Sequence, residues 1–336
     1  MTTRRSLYFT SPRHIEVREE RLPEPAPDEV LVETICSAIS PGTEMLVYRG
    51  EFPNLPVDTQ IDALTGIFSY PLCYGYANVG RIKEVGGQVK GEWQDRIVFS
   101  FQPHTSHFIA RPESLLSVPL EMGPETAAFL PNMETAVNIV QDAAPILGER
   151  VMVFGQGIVG LLTTALLVEF PLATLITADR FALRRNASLA LGIQASLDPG
   201  EPHFQALAKS KLERGADLSI ELSGSPAALN DAIALTIFSG RIVIGSWYGE
   251  KPSLLDLGGS FHRSRIRLIS SQVSSIAPEL TGRWDKARRF DVAWDAIRRI
   301  QPQKWITHRF SLEQAGEAYQ LLDKSPADAI QVMLTY

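Results

Sequence analysis

The chain is poor in cysteine. Of its 336 residues only Cys36 and Cys73 carry thiols, which argues against a disulfide framework and excludes a four-cysteine zinc lobe. Both read as small buried hydrophobes. Long apolar runs are missing as well. The longest candidate, IVGLLTTALLVEF, carries Thr163, Thr164 and Glu169 and stops at Pro171, short of the ~18 residues a membrane span needs. The opening MTTRRSLYFTSPR has no apolar core behind its arginines and does not read as a signal peptide. The net charge is −6 with both signs interspersed, so no basic block offers a nucleic-acid groove. No internal repeat or low-complexity tract is visible. These absences predict a cytoplasmic protein with neither nucleic acid nor membrane as partner, long enough for two domains.

What is present changes character along the chain. Residues 1–130 are rich in short strand signals broken by proline and glycine: SLYF, HIEVRE, EVLVETICSAI and VGRIKEV, punctuated by PEPAPDE and PGTE. This pattern predicts an irregular antiparallel barrel. The stretch from Glu51 to Tyr70 has few strand signals and reads as a long loop or short helices that shape a pocket. Over 131–275, apolar strands alternate with helix-spaced segments: VMVF, VGLLTTALLVEF, TLITA, RFALRRNASLALG, DLSIEL, GRIVIGS and RIRLISS. Such alternation predicts a parallel sheet covered on both faces. Over residues 276–336 the character shifts again. Ala287, Phe290, Trp294, Ile297 and Ile300 mark one face of a helix whose arginines read as its wet side. WITHRF reads as a strand, Ser311 and Gln314 form a capping box before the next helix, and AIQVMLTY closes as a strand.

VMVFGQGIVG places Gly155, Gly157 and Gly160 in a GxGxxG pattern between a strand and a helix. In that context the first glycine permits a tight turn. The second lets a pyrophosphate approach a positive helix end, and the third lets helix pack on sheet. Asp179 ends the next strand, 19 residues after Gly160, where an acid accepts from the adenosine ribose 2′-hydroxyl and repels a 2′-phosphate. NAD is therefore favoured, while Arg180 and Arg184 leave NADP open. Trp247 and Tyr248 follow GRIVIGS at a strand end, where they either wall the nicotinamide side or pack.

Several runs resemble the medium-chain dehydrogenases and reductases, the alcohol dehydrogenase superfamily. SAISPGTEMLVYRGEFP is similar to the segment around the first catalytic zinc ligand, YGYANVGRI to the segment with the second, and ETAAFLPNMETA to the stretch with the third. SIELSGSPAAL is similar to the strand under the cofactor. The resemblance implies a Rossmann cofactor domain over 131–275, a GroES-like irregular β-barrel catalytic domain over 1–130 to which residues 276–336 return, and a homodimer joined edge to edge through the Rossmann sheets. The pairing of a GTE with a GY segment resembles the group around bacteriochlorophyllide a dehydrogenase.

The ligands themselves are replaced. Pro41 stands for the cysteine, Tyr76 and Ala77 for the His-Glu pair, and the third region offers Pro131, Asn132, Met133 and Glu134. VFSFQPHTSHFIA runs through the place of the structural-zinc lobe. No zinc is expected. Without a metal, hydrogen-bond donors must hold the developing alkoxide. Tyr76 either serves as that donor or fills the space of the metal. Thr43 matches the position whose hydroxyl relays a proton. Glu44 reads as structural, or as a contact to arginine or ribose. His104 and His107 lie where the family's pocket wall passes, and one of them is a candidate for the chemistry. His262 is either a cofactor or subunit contact or a surface residue. The reading is a zinc-independent, NAD-preferring oxidoreductase of a small-molecule secondary alcohol or ketone. A double-bond reductase and a non-catalytic dinucleotide-binding protein are the alternatives.

Overall fold

The computed structural model describes residues 2–52 and 69–336. The chain forms two compact units, one of residues 1–131 with 297–336 and one of 132–296. The pocket-shaping stretch expected between Glu51 and Tyr70 lies almost wholly outside the described residues.

The first unit opens with strands β1 (Thr3–Ser11), β2 (His14–Arg21) and β3 (Val30–Ile39) and helix α1 (Pro41–Arg49). Short strands β4 (Leu72–Cys73), β5 (Asn78–Val85), β6 (Ile97–Ser100), β7 (His107–Ala110) and β8 (Leu116–Ser117) follow, then helix α2 (Pro124–Ala127). A three-stranded sheet runs in the order β2-β1-β4. A second sheet winds around the apolar β3, whose residues are nearly all buried. Pro41 suits the first position of α1, where its missing N–H leaves no helical bond unmade.

The second unit runs from α3 (Leu130–Ala143) through β9 (Arg150–Phe154), α4 (Ile158–Leu167), β10 (Thr174–Ala178) and α5 (Ala182–Leu189) to β11 (Ala195–Leu197). It continues through α6 (Phe204–Lys211), β12 (Ala216–Glu221), α7 (Pro226–Leu235), β13 (Thr236–Ile244) and β14 (Arg267–Ser270) to α8 (Lys286–Ile300). The six strands are parallel in the order β11-β10-β9-β12-β13-β14. This is the doubly wound Rossmann arrangement that the alternation predicts. α4 has buried residues on every side, so its even hydrophobicity reflects core position.

The chain then closes the first unit with β15 (Ile306–Ser311), α9 (Ala315–Lys324) and β16 (Gln331–Thr335). β16 pairs antiparallel with β3 and parallel with β15, which gives the barrel-like part a mixed sheet. The Ser311/Gln314 capping box forms as read, at a short 3₁₀ turn ahead of α9.

Two expectations need correction. The return does not begin at 276, because residues up to 296 belong to the second unit. Arg289 explains why. It is fully buried and donates to Glu134 and Asn138 of α3 and to the carbonyls of Val273 and Ser275, which ties this stretch to the Rossmann unit. For the same reason the arginines of α8 are not all on its wet side.

Candidate functional site

In the second unit β9 ends at the glycine turn. Gly155 has φ +87°, and a Cβ there would lie 2.6 Å from the backbone of Leu222 and Ser223. A Cβ on Gly160 would lie 1.9 Å from the carbonyl oxygen of Gly155. The fold itself requires both glycines. Gly157 differs: a Cβ there would meet only the Arg184 Nη1, at 3.8 Å. Gly157 caps α4 and no side chain caps that helix end. An open cradle above uncapped N–H groups at a positive helix end fits a pyrophosphate.

Asp179 directly follows β10 beside this turn. Its Oδ2 accepts from the Gln156 N–H at 2.7 Å and its Oδ1 from the Phe181 N–H at 2.8 Å. The carboxylate that was expected to read a ribose is seen to brace the glycine turn. Arg184 lies with its guanidinium 4.8 Å from the centre of the Phe181 ring, and Arg180 lies 5.5 Å from it on an exposed side chain. Burial pulls the Arg184 pKa down, and the Asp179 charge opposes that.

At the end of β12 the fully buried Glu221 accepts from the Ser223 N–H at 2.7 Å and from the Tyr248 hydroxyl at 2.6 Å. Burial, with the Glu221 charge behind it, raises the Tyr248 pKa. Tyr248 is thus fixed at the carboxyl end of the sheet, where ligands of such sheets bind, with the half-buried Trp247 next to it in sequence. Sequence reasoning did not single out Glu221, although an acid inside the apolar run DLSIEL was a visible signal.

In the first unit Tyr76, Thr43 and Ser40 come together. The Tyr76 hydroxyl donates to Ser40 Oγ and lies 3.3 Å from Thr43 Oγ1. Its ring stands edge-on to Tyr74 with centroids 6.2 Å apart. Burial, then the nearby Glu44 charge, pushes the Tyr76 pKa up to about 12, against the two hydroxyl contacts that lower it. The phenol therefore keeps its proton at neutral pH. Tyr76 and Thr43 are half-buried, whereas Ser40 is buried. Ser40 was missed because a serine before PGTE has no pattern of its own.

Beneath this cluster lies a second one. Glu44 and His104 are 0% and 1% exposed, with His104 Nε2 2.9 Å from Glu44 Oε2. Glu44 also accepts from the Ser40 N–H at 2.8 Å and from the Tyr319 hydroxyl. His104 Nδ1 lies 2.7 Å from Ser37 Oγ, which lies 2.8 Å from the Tyr336 hydroxyl. Glu44 is thus bonded within the unit and fully buried, which agrees with its structural reading rather than with the alternative of an arginine or ribose contact. The two candidate histidines separate: His104 is sealed under Gly75, while His107 sits half-buried on β7 against Ser106. His262 is exposed. Cys36 is buried, which pushes its thiol up to about 12, but Cys73 is only half-buried.

The positions that correspond to zinc ligands do not fit a catalytic zinc. Pro41 and Ala77 have no side-chain donor atom, and the Tyr76 hydroxyl is protonated and bonded to Ser40. Glu134 is held by Arg289 at 2.7 Å. Among the described residues no three His, Cys, Asp or Glu side chains converge as a metal site, and none of the helices is long and apolar enough to cross a membrane.

No family model matches the chain. It is 20% identical over 99% of both chains to the starvation-sensing protein RspB of Escherichia coli, and 23% identical to the D-guloside 3-dehydrogenase of the same species, over 92% of this chain and 93% of that one. The L-threonine 3-dehydrogenase of Pyrococcus furiosus is 23% identical over 71% of this chain and 74% of its own. Among solved structures, RspB of E. coli CFT073 with NADH superposes with TM-score 0.80 over 100% of both chains at 19% identity. A zinc-binding dehydrogenase homologue from Sinorhizobium meliloti bound to NADP superposes with TM-score 0.79 over 100% of both, at 20% identity. The resemblance to the medium-chain dehydrogenases and reductases thus holds along the whole chain, and the fold is theirs.

Proposed function

We propose that the protein is an NAD(P)-dependent oxidoreductase that interconverts a small secondary alcohol and its ketone without a catalytic zinc, with NAD(H) favoured. The observation that carries this reading is the Tyr76, Ser40 and Thr43 cluster, three hydroxyls at the place where the resemblance puts the metal. Dehydrogenase relatives and a glycine turn with room for a pyrophosphate support it.

A bound nicotinamide supplies or accepts the hydride. In the reductive direction Tyr76 donates its proton to the carbonyl oxygen as the carbon gains the hydride. Thr43 and Ser40 keep the phenol oriented, and as its proton leaves for the carbonyl their hydroxyls turn to donate to the phenolate oxygen. With a pKa of about 12 the phenol keeps its proton near neutrality, so the resting protein holds the form that ketone reduction needs, while oxidation draws on the scarcer deprotonated form. Asp179 stands where the resemblance puts the acid that binds the ribose 2′-hydroxyl and excludes a 2′-phosphate, which favours NAD. Arg180 and Arg184 beside it support the second reading, an NADPH-dependent reductase of activated double bonds. In either case a homodimer would pair through β14, the sheet edge, which sedimentation tests directly.

The first experiment titrates the protein with NADH and NADPH by tryptophan fluorescence. Tighter NADH binding, with turnover of ketones that falls about 10²–10³-fold in Tyr76→Phe, supports the proposal. Tighter NADPH binding with turnover of enones or quinones and no alcohol oxidation replaces it with the second reading. Binding of neither cofactor leaves a non-catalytic protein.

A further inference from the structure

In the second unit a buried acid lies outside the proposed proton chemistry. Glu221 ends β12 and is fully buried. Its Oε1 accepts from the Ser223 N–H at 2.7 Å and from the Ser223 hydroxyl, and its Oε2 accepts from the Tyr248 hydroxyl at 2.6 Å. Ser223 lies just past β12 and Tyr248 just past β13. One side chain therefore ties together the turns at the carboxyl ends of two adjacent parallel strands.

A second stitch lies beside the first. The Gly224 N–H donates to Ser246 Oγ at 2.9 Å. Ser246 Oγ lies 3.4 Å from the Glu221 carbonyl oxygen, which also receives the Gly245 N–H at 3.1 Å. The 222–225 and 245–249 turns are thus joined at two points, by Tyr248 with Glu221 and by Ser246 with Gly224. The sheet does not need these bonds, because β12 and β13 already pair from Leu218 with Arg241 to Glu221 with Ile244. Burying an acid at a strand end is costly unless its bonds are complete. What Glu221 adds in return is a fixed relation between the two turns.

Their place gives that relation a use. The glycine turn follows β9, which has β10 on one side and β12 on the other. A pyrophosphate over Gly157 with its adenosine running toward Asp179 leaves the opposite direction for the second nucleotide, across the ends of β12 and β13. Ser223 abuts the glycine turn, since a Cβ on Gly155 would lie 2.6 Å from its Cα. The half-buried Trp247 stands between Ser246 and Tyr248. We infer that Glu221 is a positioning residue that, through Tyr248 and Ser223, holds the 222–225 and 245–249 turns as the seat of the nicotinamide half of the cofactor. This rests on the dinucleotide binding of the proposed function. A seat fixed in advance spares the ligand the cost of ordering it, so the tether acts on affinity for the nicotinamide half and leaves the adenosine half alone.

Calorimetric titration with NADH and with ADP separates the two halves, because ADP carries the adenosine and the pyrophosphate only. Should NADPH bind tighter, NADPH and 2′-phospho-ADP take their places. Tyr248→Phe keeps the ring and both Ser223 donors on Glu221 and removes the tether. It is expected to bind NADH about tenfold more weakly, the worth of one such hydrogen bond, and ADP within about twofold of the parent. Equal weakening of both ligands means that the bond serves the glycine turn as a whole, and unchanged NADH affinity means that it serves no ligand. Either result overturns the inference. Should Tyr248→Phe not fold, Ser246→Ala cuts the second stitch, with the same split expected and the same two results overturning it. If the unmodified protein binds neither NADH nor NADPH, the dinucleotide reading falls and the inference with it. If it binds them and the variants match it, the inference alone falls.

Discussion

Replacing Arg289 by methionine tests the account of the second unit most severely. The guanidinium is fully buried. It gives two bonds to Glu134 Oε1, at 2.7 and 3.1 Å, and one to Asn138 Oδ1 at 2.6 Å. It also reaches the carbonyls of Ser275 and Val273. Methionine fills the stem's volume but strands the Glu134 carboxylate, itself 3% exposed, with only the Lys286 amine 3.6 Å away. Breaking a buried ion pair from one side costs about 3–5 kcal/mol. Lys286 is half-exposed and free to move closer, which pulls the expectation toward the lower end. For a unit of this size each kcal/mol moves the midpoint of thermal unfolding by about 2–4 °C. Circular dichroism should therefore show Arg289→Met melting about 6–12 °C below the parent. Adding Glu134→Leu removes the stranded charge, and the double variant should melt above the single one, since an apolar pair often replaces a buried ion pair at little cost. A single variant within about 1 kcal/mol of the parent, or a double variant less stable than the single, would refute the buried-pair reasoning.

The glycines separate folding from binding. Gly160→Ala should fold poorly because its Cβ would meet the Gly155 carbonyl at 1.9 Å. Gly157→Val should melt near the parent yet lose dinucleotide affinity in the fluorescence titration, since its side chain enters open space. Alkali should weaken the fold. Burial raises the pKa of Tyr76 to about 12 and raises those of Tyr74, Tyr319 and Tyr336 as well. A tyrosine whose folded pKa lies above its ordinary value contributes stability that is whole below pH ~10 and lost as pH rises through the folded value. Urea midpoints measured from pH 8 to 11 should stay level and then drop above 10. A flat profile would contradict the buried phenols.

The cofactor half of the molecule was legible because its signals are local. A glycine turn, the strand before it and the helix after it lie within a dozen consecutive residues, and Gly155 and Gly160 are needed by backbone contacts that any side chain would break. The ligand replacements at Pro41, Tyr76 and Ala77 were equally readable, since they are substitutions within short runs. What escaped is the choice of partners across the chain. Arg289 looked like one of several arginines on the polar side of an amphipathic helix. Nothing in α8 alone marks the one that meets Glu134, 155 positions away. The Glu44 site shows the same limit more sharply. Thr43 and Tyr76 were named from their runs. The carboxylate between them became meaningful only when His104 arrived from the loop before β7 and Tyr319 from the buried face of α9. Tyr319 sits among Ala315, Ala318 and Leu322 on that face, so its sequence pattern says core and is silent about the hydroxyl at its tip. Burial follows from periodicity, whereas the partners of a buried polar group follow from which segments converge on it. What meets the Tyr76 hydroxyl, Ser40 and Thr43, is likewise supplied by residues that its own segment does not contain.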